Sequence, residues 1–365
     1  CHPDKHEDLA AFGRGGIPDR QSRRDDIGPD GHAYAREPEQ EQRKREPEGL
    51  RVPVARQRVP QEPGHDQRGD RDRRDPVDGR RAQPAVGIFG PQDEVVEAYR
   101  AHQREGCESR DLPQLDPFLF LNHPGPQVYA PGNRGLPFGP HPHRGFETVS
   151  FILKGEMAHL DSGGHESVIG EGGIQWMTAG SGLVHAEISP ESFKQSGGPL
   201  EILQLWVNLP ARLKMTQPSY TGLQRADIPA IAVPGGTANL ISGDFEGQKG
   251  PYASLTDVAM MTVELEPGAS LTLPAPSART VFLYVVAGEP VVGGTACREA
   301  HLIELDQDGD AVEVSTHGPV TLLYGHADPI GEPVVAHGPF VMNTREEIHA
   351  AIQDYQAGKF GAIAG

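Results

Sequence analysis

Cysteine is scarce in this chain: three residues in 365, Cys1, Cys107 and Cys297. None stands in a CxxC spacing, so no disulfide framework can form, and the usage fits a reducing cytosol. Long apolar runs are missing as well. No stretch of about 18 apolar residues occurs, so nothing is expected to span a membrane. No apolar segment follows a basic start, so no signal peptide is readable. A G-x-S-x-G elbow is absent, which disfavours a hydrolase. Aromatic residues make up only 6% of the chain, and the first 85 residues hold just Phe12 and Tyr34. That segment is dense in Arg, Asp, Gly, Pro and Gln instead. It buries too little apolar surface to offset its chain entropy, so residues 1–90 are expected to form a disordered, low-complexity segment.

Charge is unevenly spread. Residues 1–85 carry 18 basic and 18 acidic side chains, so the net −18 belongs wholly to the remainder. Within the first segment, acids interleave with Arg-rich runs such as RGDRDRRD, which weakens a nucleic-acid reading. The acidic remainder would be repelled by phosphates, so no direct nucleic-acid contact is expected, whereas a basic protein partner is compatible.

Against these absences stand two short pairs: His141 and His143 in HPHRGFETV, and His185 and Glu187 in GLVHAEI, about forty residues apart. Along a β-strand alternate side chains share a face, so the members of each pair point the same way. Two such strands facing each other in a barrel would gather three imidazoles and one carboxylate around a point. That set suits a divalent transition metal and leaves coordination positions free for a small molecule. Gly135 stands before His141, Glu147 follows His143, and Gly182 precedes His185. These spacings resemble the two cupin signatures, in which glycines turn the chain between strands.

Longer segments resemble one family within that fold. FGPHPHRGFETVSFILKGEMAHLDS, GGIQWMTAGSGLVHAEI, LQLWVNLPARLKMTQPSY and GPFVMNTREEIHAAIQDYQAGKFG are similar to pirin sequences, in the family's order, from about Leu112 to the C-terminus. The resemblance implies two cupin barrels with one iron in the first, its ligands falling on His141, His143, His185 and Glu187. Many cupins use the Glu147 position as the carboxylate ligand, so Glu147 stands beside Glu187 as a candidate for the metal and for catalysis.

From Asp116 onward, strand signals recur every ten residues or so with Gly/Pro turns between them, the pattern of an all-β protein. In Ile202–Leu209 the residues Leu203, Leu205, Val207 and Leu209 alternate with Gln204, Trp206 and Asn208, which predicts a strand with one apolar face. The predicted fold is all-β: two stacked cupin (jelly-roll) β-barrels, a metal-binding one over 108–237 and a metal-free one over 238–342. An offset of 133 residues lays VFLYVVAGEP on TVSFILKGEM and sets Pro274 and Pro276 where the first two histidines stand, so the second barrel is expected to have lost its metal site. The end of the chain, 343–358, reads as a C-terminal helix. Thr344 and Glu347 form a capping box, Ile348, Ala351, Ile352 and Tyr355 one apolar stripe, and Gly358 the C′ residue, predicting a helix docked across the barrels.

Three imidazoles and a carboxylate would accept iron(II), manganese, nickel, copper or zinc, so the Fe(2+) assignment comes from the resemblance. Phe138, Phe146, Trp176, Met177 and Leu183 lie near the ligands in sequence and are candidates for an apolar pocket. Apolar walls over a metal suit a small flat aromatic substrate with two adjacent oxygens. This matches the quercetin 2,3-dioxygenase activity associated with some pirins, with dioxygen as second substrate and Glu187 or Glu147 taking the hydroxyl proton. The alternative implied by the resemblance is a non-enzymatic, iron-dependent regulator that binds a partner protein. A cytoplasmic monomer is expected.

Overall fold

The computed structural model describes residues 115–305 and 309–363; the segment expected to be disordered lies outside them. The first barrel contains β1 (Phe118–Asn122), β2 (Gln127–Tyr129), β3 (Phe138–His143), β4 (Phe146–Lys154), β5 (Glu156–Asp161), β6 (Glu166–Gly170), β7 (Ile174–Thr178), β8 (Leu183–Ile188), β9 (Gly198–Asn208) and β10 (Ser219–Leu223). One sheet runs β1-β9-β4-β7-β10, with β2 on β9, and the other β3-β8-β5-β6. The sheets face each other, since Ser150 on β4 and Gln204 on β9 both donate to Glu187 on β8.

A second pair of sheets spans Ala230 to Ala327, built on Gly236–Ser242, Ala259–Leu265, Thr280–Ala287 and Val320–Ala327 on one side and Ser270–Pro274 and Ala311–Thr316 on the other. The predicted pair of jelly-roll barrels is therefore present. The interior of the second is filled by apolar side chains, among them Met261, Leu271, Leu273, Leu283, Val312 and Leu322. Pro274 closes its strand opposite Ala311, at the position expected to have lost a histidine.

The barrels share a core. Leu203, Leu205 and Val207 of β9 pack with Val149 and Phe151 of β4 against Ile241, Met260, Phe282 and Leu323 of the second barrel. The alternation in Ile202–Leu209 thus produces the strand it predicted, with both faces in use. Its apolar face meets the other barrel, and Ile202, Gln204 and Trp206 point into the first. A strand hydrophobic on one side and polar on the other is ordinarily half solvated. Here the polar side lines an internal cavity.

The C-terminal helix runs Arg345–Gln356 with the Thr344/Glu347 capping box formed, Ala357 as C-cap and Gly358 beyond it at φ 75°. It docks on Val184 of β8 and on the hairpin of Val335–His337 and Phe340–Met342. The expected position across both barrels is replaced by one on the flank of the first. The short apolar stripe is matched there: Ile348 and Ala351 are buried, while Tyr355 is 40% exposed. Among the described residues no helix is long and apolar enough to cross a membrane.

Candidate metal centre

β3 and β8 are hydrogen-bonded neighbours in one sheet, paired antiparallel with His141 opposite His185 and His143 opposite Leu183. The two strands expected to face each other lie edge to edge instead. Directly opposed residues share a face, so His141, His143 and His185 all project into the barrel. Their ring centroids are 4.3 Å (His141–His185), 4.9 Å (His141–His143) and 4.9 Å (His143–His185) apart. One nitrogen from each lies within 4.8 Å of the others.

Two of the rings are oriented by backbone carbonyls. His141 Nδ1 meets Gly139 O at 2.8 Å and His143 Nδ1 meets Pro339 O at 3.3 Å. A carbonyl can only accept, so each Nδ1 carries the proton and each Nε2 offers its lone pair. His185 differs: both its ring nitrogens are buried without a hydrogen-bond partner. Burial pushes His143 and His185 well below the usual imidazole range, and the neighbouring imidazoles add to this. Neutral rings with converging lone pairs and an orphaned buried nitrogen fit a divalent cation.

Glu187 lies two residues beyond His185 on the same face, and its carboxylate opens on the same cavity. Both oxygens are engaged from the facing sheet: Ser150 Oγ donates to Oε1 at 2.7 Å and Gln204 Nε2 to Oε2 at 2.7 Å. Glu147 is not brought to the histidines. It sits on β4 beside Val149, which packs in the shared core of the two barrels, and Thr178 donates to it at 2.6 Å. Burial raises its pKa to about 7, against the hydrogen bond from Thr178 that lowers it.

The cavity over the histidines measures about 590 Å³. Phe120, Phe138, Met157, Ile202 and Trp206 supply its apolar walls, and among the described residues Glu187 is the one acidic side chain lining it. Of the wall candidates named from sequence, Phe138 lines the cavity and Phe146 backs it, 4.5 Å from Trp206 and 5.1 Å from His143 between ring centroids. Trp176 faces the second barrel, stacked on Tyr252 at 4.1 Å. Met177 and Leu183 are buried with Ala179 beside Tyr220.

Two contributors escaped the sequence. Trp206 and Gln204 read only as the polar face of a strand; a polar row opposite an apolar one on a strand flanked by two sheets would have been the signal. The C-terminal hairpin, which brings Ala336, Gly338, Pro339 and Val341 to the cavity, has no local signal. It is pinned by Lys214, 1% exposed, whose ammonium donates to Gly145 O (2.9 Å), Val341 O (3.0 Å) and Asn208 Oδ1 (2.7 Å). Gly145, at φ 89°, has no side chain because a Cβ there would strike the Val341 carbonyl.

Comparison with known proteins agrees with this architecture. The family model described as Pirin matches residues 97–207, and that of the Pirin C-terminal cupin domain matches 260–361. A Pseudomonas aeruginosa protein provisionally named quercetin 2,3-dioxygenase is 41% identical over 248 residues, 67% of this chain and 87% of its own. Human pirin is 39% identical over 276 residues, 73% of this chain and 91% of its own. The crystal structure of quercetin 2,3-dioxygenase from Acinetobacter baumannii is 36% identical, with a TM-score of 0.66 over 68% of this chain and 88% of that one.

Proposed function

The chain belongs to the pirin family, and from that premise we propose that it is an iron(II)-dependent dioxygenase that opens flavonol-type rings with dioxygen. The observation that carries this is the pairing of three converging imidazoles with an aromatic-walled cavity that His141 and His143 line. His141, His143, His185 and Glu187 would hold the ion. Bound there, iron(II) would supply Lewis acidity and a one-electron route to dioxygen. The rest is work for the protein's own side chains. Phe120, Phe138 and Trp206 offer flat apolar surface to an aromatic ring system and keep water from it. Glu187, whose side chain lines the cavity, would take the proton of a substrate hydroxyl. Naming quercetin as the substrate class follows the names of the Pseudomonas and Acinetobacter relatives.

The test is oxygen consumption by the iron-loaded protein with quercetin. Turnover that disappears in His185→Ala, and falls by roughly a hundredfold in Glu187→Gln, is the expected result. An iron-loaded wild type that leaves quercetin and related flavonols intact would refute the dioxygenase and favour a metal-dependent regulator that docks a partner protein.

A further inference from the structure

The carboxylate of Glu187 is not held by generic donors. Gln204 Nε2 donates to its Oε2 at 2.7 Å and also to Ser150 Oγ at 3.2 Å, while Gln204 Oε1 accepts the indole N–H of Trp206 at 3.2 Å. An indole nitrogen can only donate and an ionised carboxylate can only accept. The side chain between them must accept at one end and donate at the other, and a primary amide does both. The orientation of the Gln204 amide is thereby fixed, because the flipped form would set NH₂ against an indole N–H and a carbonyl against a carboxylate.

Trp206 is also the ring that shapes the cavity. It packs 4.5 Å from Phe146, 5.2 Å from Phe120 and 5.4 Å from His143, centroid to centroid. One side chain therefore ties the plane of the aromatic wall to the orientation of the carboxylate beside the histidines. Such chains of polarised hydrogen bonds act as units. We propose that Gln204 is a positioning residue that locks the Glu187 carboxylate and the Trp206 ring together, so that metal binding at the histidines and the fit of a flat ligand against Trp206 are coupled through its amide. This rests on the metal reading above, and not on the dioxygenase activity.

The chain has two tryptophans, Trp176 and Trp206, so protein labelled with 5-fluorotryptophan gives two fluorine resonances, assigned with Trp176→Phe. Metal-free Gln204→Met, which keeps the reach of the side chain without its amide, should shift the Trp206 resonance and leave that of Trp176 in place. Titration with zinc(II) alone should move the Trp206 resonance in the wild type. The variant should bind zinc roughly 10- to 100-fold more weakly, the range for groups that orient metal ligands, and its Trp206 resonance should move less at saturation than that of the wild type, keeping only the direct effect through His143, 5.4 Å away. Ser150→Ala is the control: it removes a donor from Glu187 and the longer of the two contacts of Gln204 Nε2, but leaves the bond from the indole to Gln204 Oε1, so zinc affinity falls while the metal-free Trp206 resonance stays. Should Gln204→Met disturb the Trp176 resonance through misfolding, Gln204→Glu takes its place. That variant keeps the acceptor for the indole, so the metal-free Trp206 resonance should persist while its response to zinc is reduced. A Trp206 resonance indifferent to Gln204→Met, or a zinc affinity within about threefold of wild type, overturns the proposal. A wild type that binds no zinc overturns the coupling together with the metal reading, while the metal-free spectra still decide whether Gln204 bridges Glu187 and Trp206.

Discussion

Glu147, four residues beyond His143, and Glu187, two beyond His185, met different fates, and that of Glu147 has a measurable consequence. Glu147 is buried in the shared core with its pKa raised from 4.5 to about 7. The native protein therefore holds a proton there that the unfolded chain has released, over the window from about 4.5 to about 7. The stability Glu147 contributes is fully present below 4.5 and is lost as pH rises through 7. Glu147→Gln should remove that loss, which is at most about 3 kcal/mol. Urea unfolding should show the variant gaining on wild type at pH 8 and showing little difference at pH 4; equal pH slopes would refute this. Sequence spacing could not separate Glu147 from Glu187. Glu187 shares a strand with His185, so the period of two fixes its face. Between His143 and Glu147 the chain leaves β3, turns at Gly145 and enters β4 in the other sheet, and the parity is lost.

Among the elements, β9 does the most. It pairs with β1, β2 and β4, sends Leu203, Leu205 and Val207 into the inter-barrel core, and holds Gln204 and Trp206 toward the cavity. Leu205 is 2% exposed. Leu205→Ala should cost about 2–5 kcal/mol in unfolding free energy, the range for emptied aliphatic sites, and a cost below 1 kcal/mol would mean the barrels do not rely on this seam. Both the strand and its two faces were legible because the alternation is local. What each face meets was not. The C-terminal hairpin makes the complementary case. Gly145→Ala should force it off the cavity, through the Val341 carbonyl and the positive φ together. The expected outcome is weaker zinc binding with the barrel fold kept, read by titration and far-UV circular dichroism. Wild-type zinc affinity in that variant would show that the hairpin is not needed over the histidines.

At the scale of the whole molecule, one barrel carries a histidine cluster inside and the other an apolar filling. Metal analysis should give close to one equivalent per chain, and His143→Ala should abolish it; two equivalents would contradict the apolar filling of the second barrel. Metal in hundredfold excess over its Kd should raise the stability of the first barrel by about 2.7 kcal/mol, detected as a higher Tm that a chelator reverses. The sequence by itself determined the all-β class, the duplicated strand series, the histidine pairs and the capped terminal helix. Those depend on period, spacing and turn chemistry within a few residues. Only the tertiary structure decided that β3 and β8 are neighbours, that Glu147 faces away, that the hairpin near the C-terminus brings the Pro339 carbonyl to His143 as an acceptor, and that Gln204 joins Trp206 to Glu187. Each of these depends on which strands pair across long stretches of chain, and the residues meet there because burying the apolar face of one sheet leaves its other face no place but the inside of the barrel.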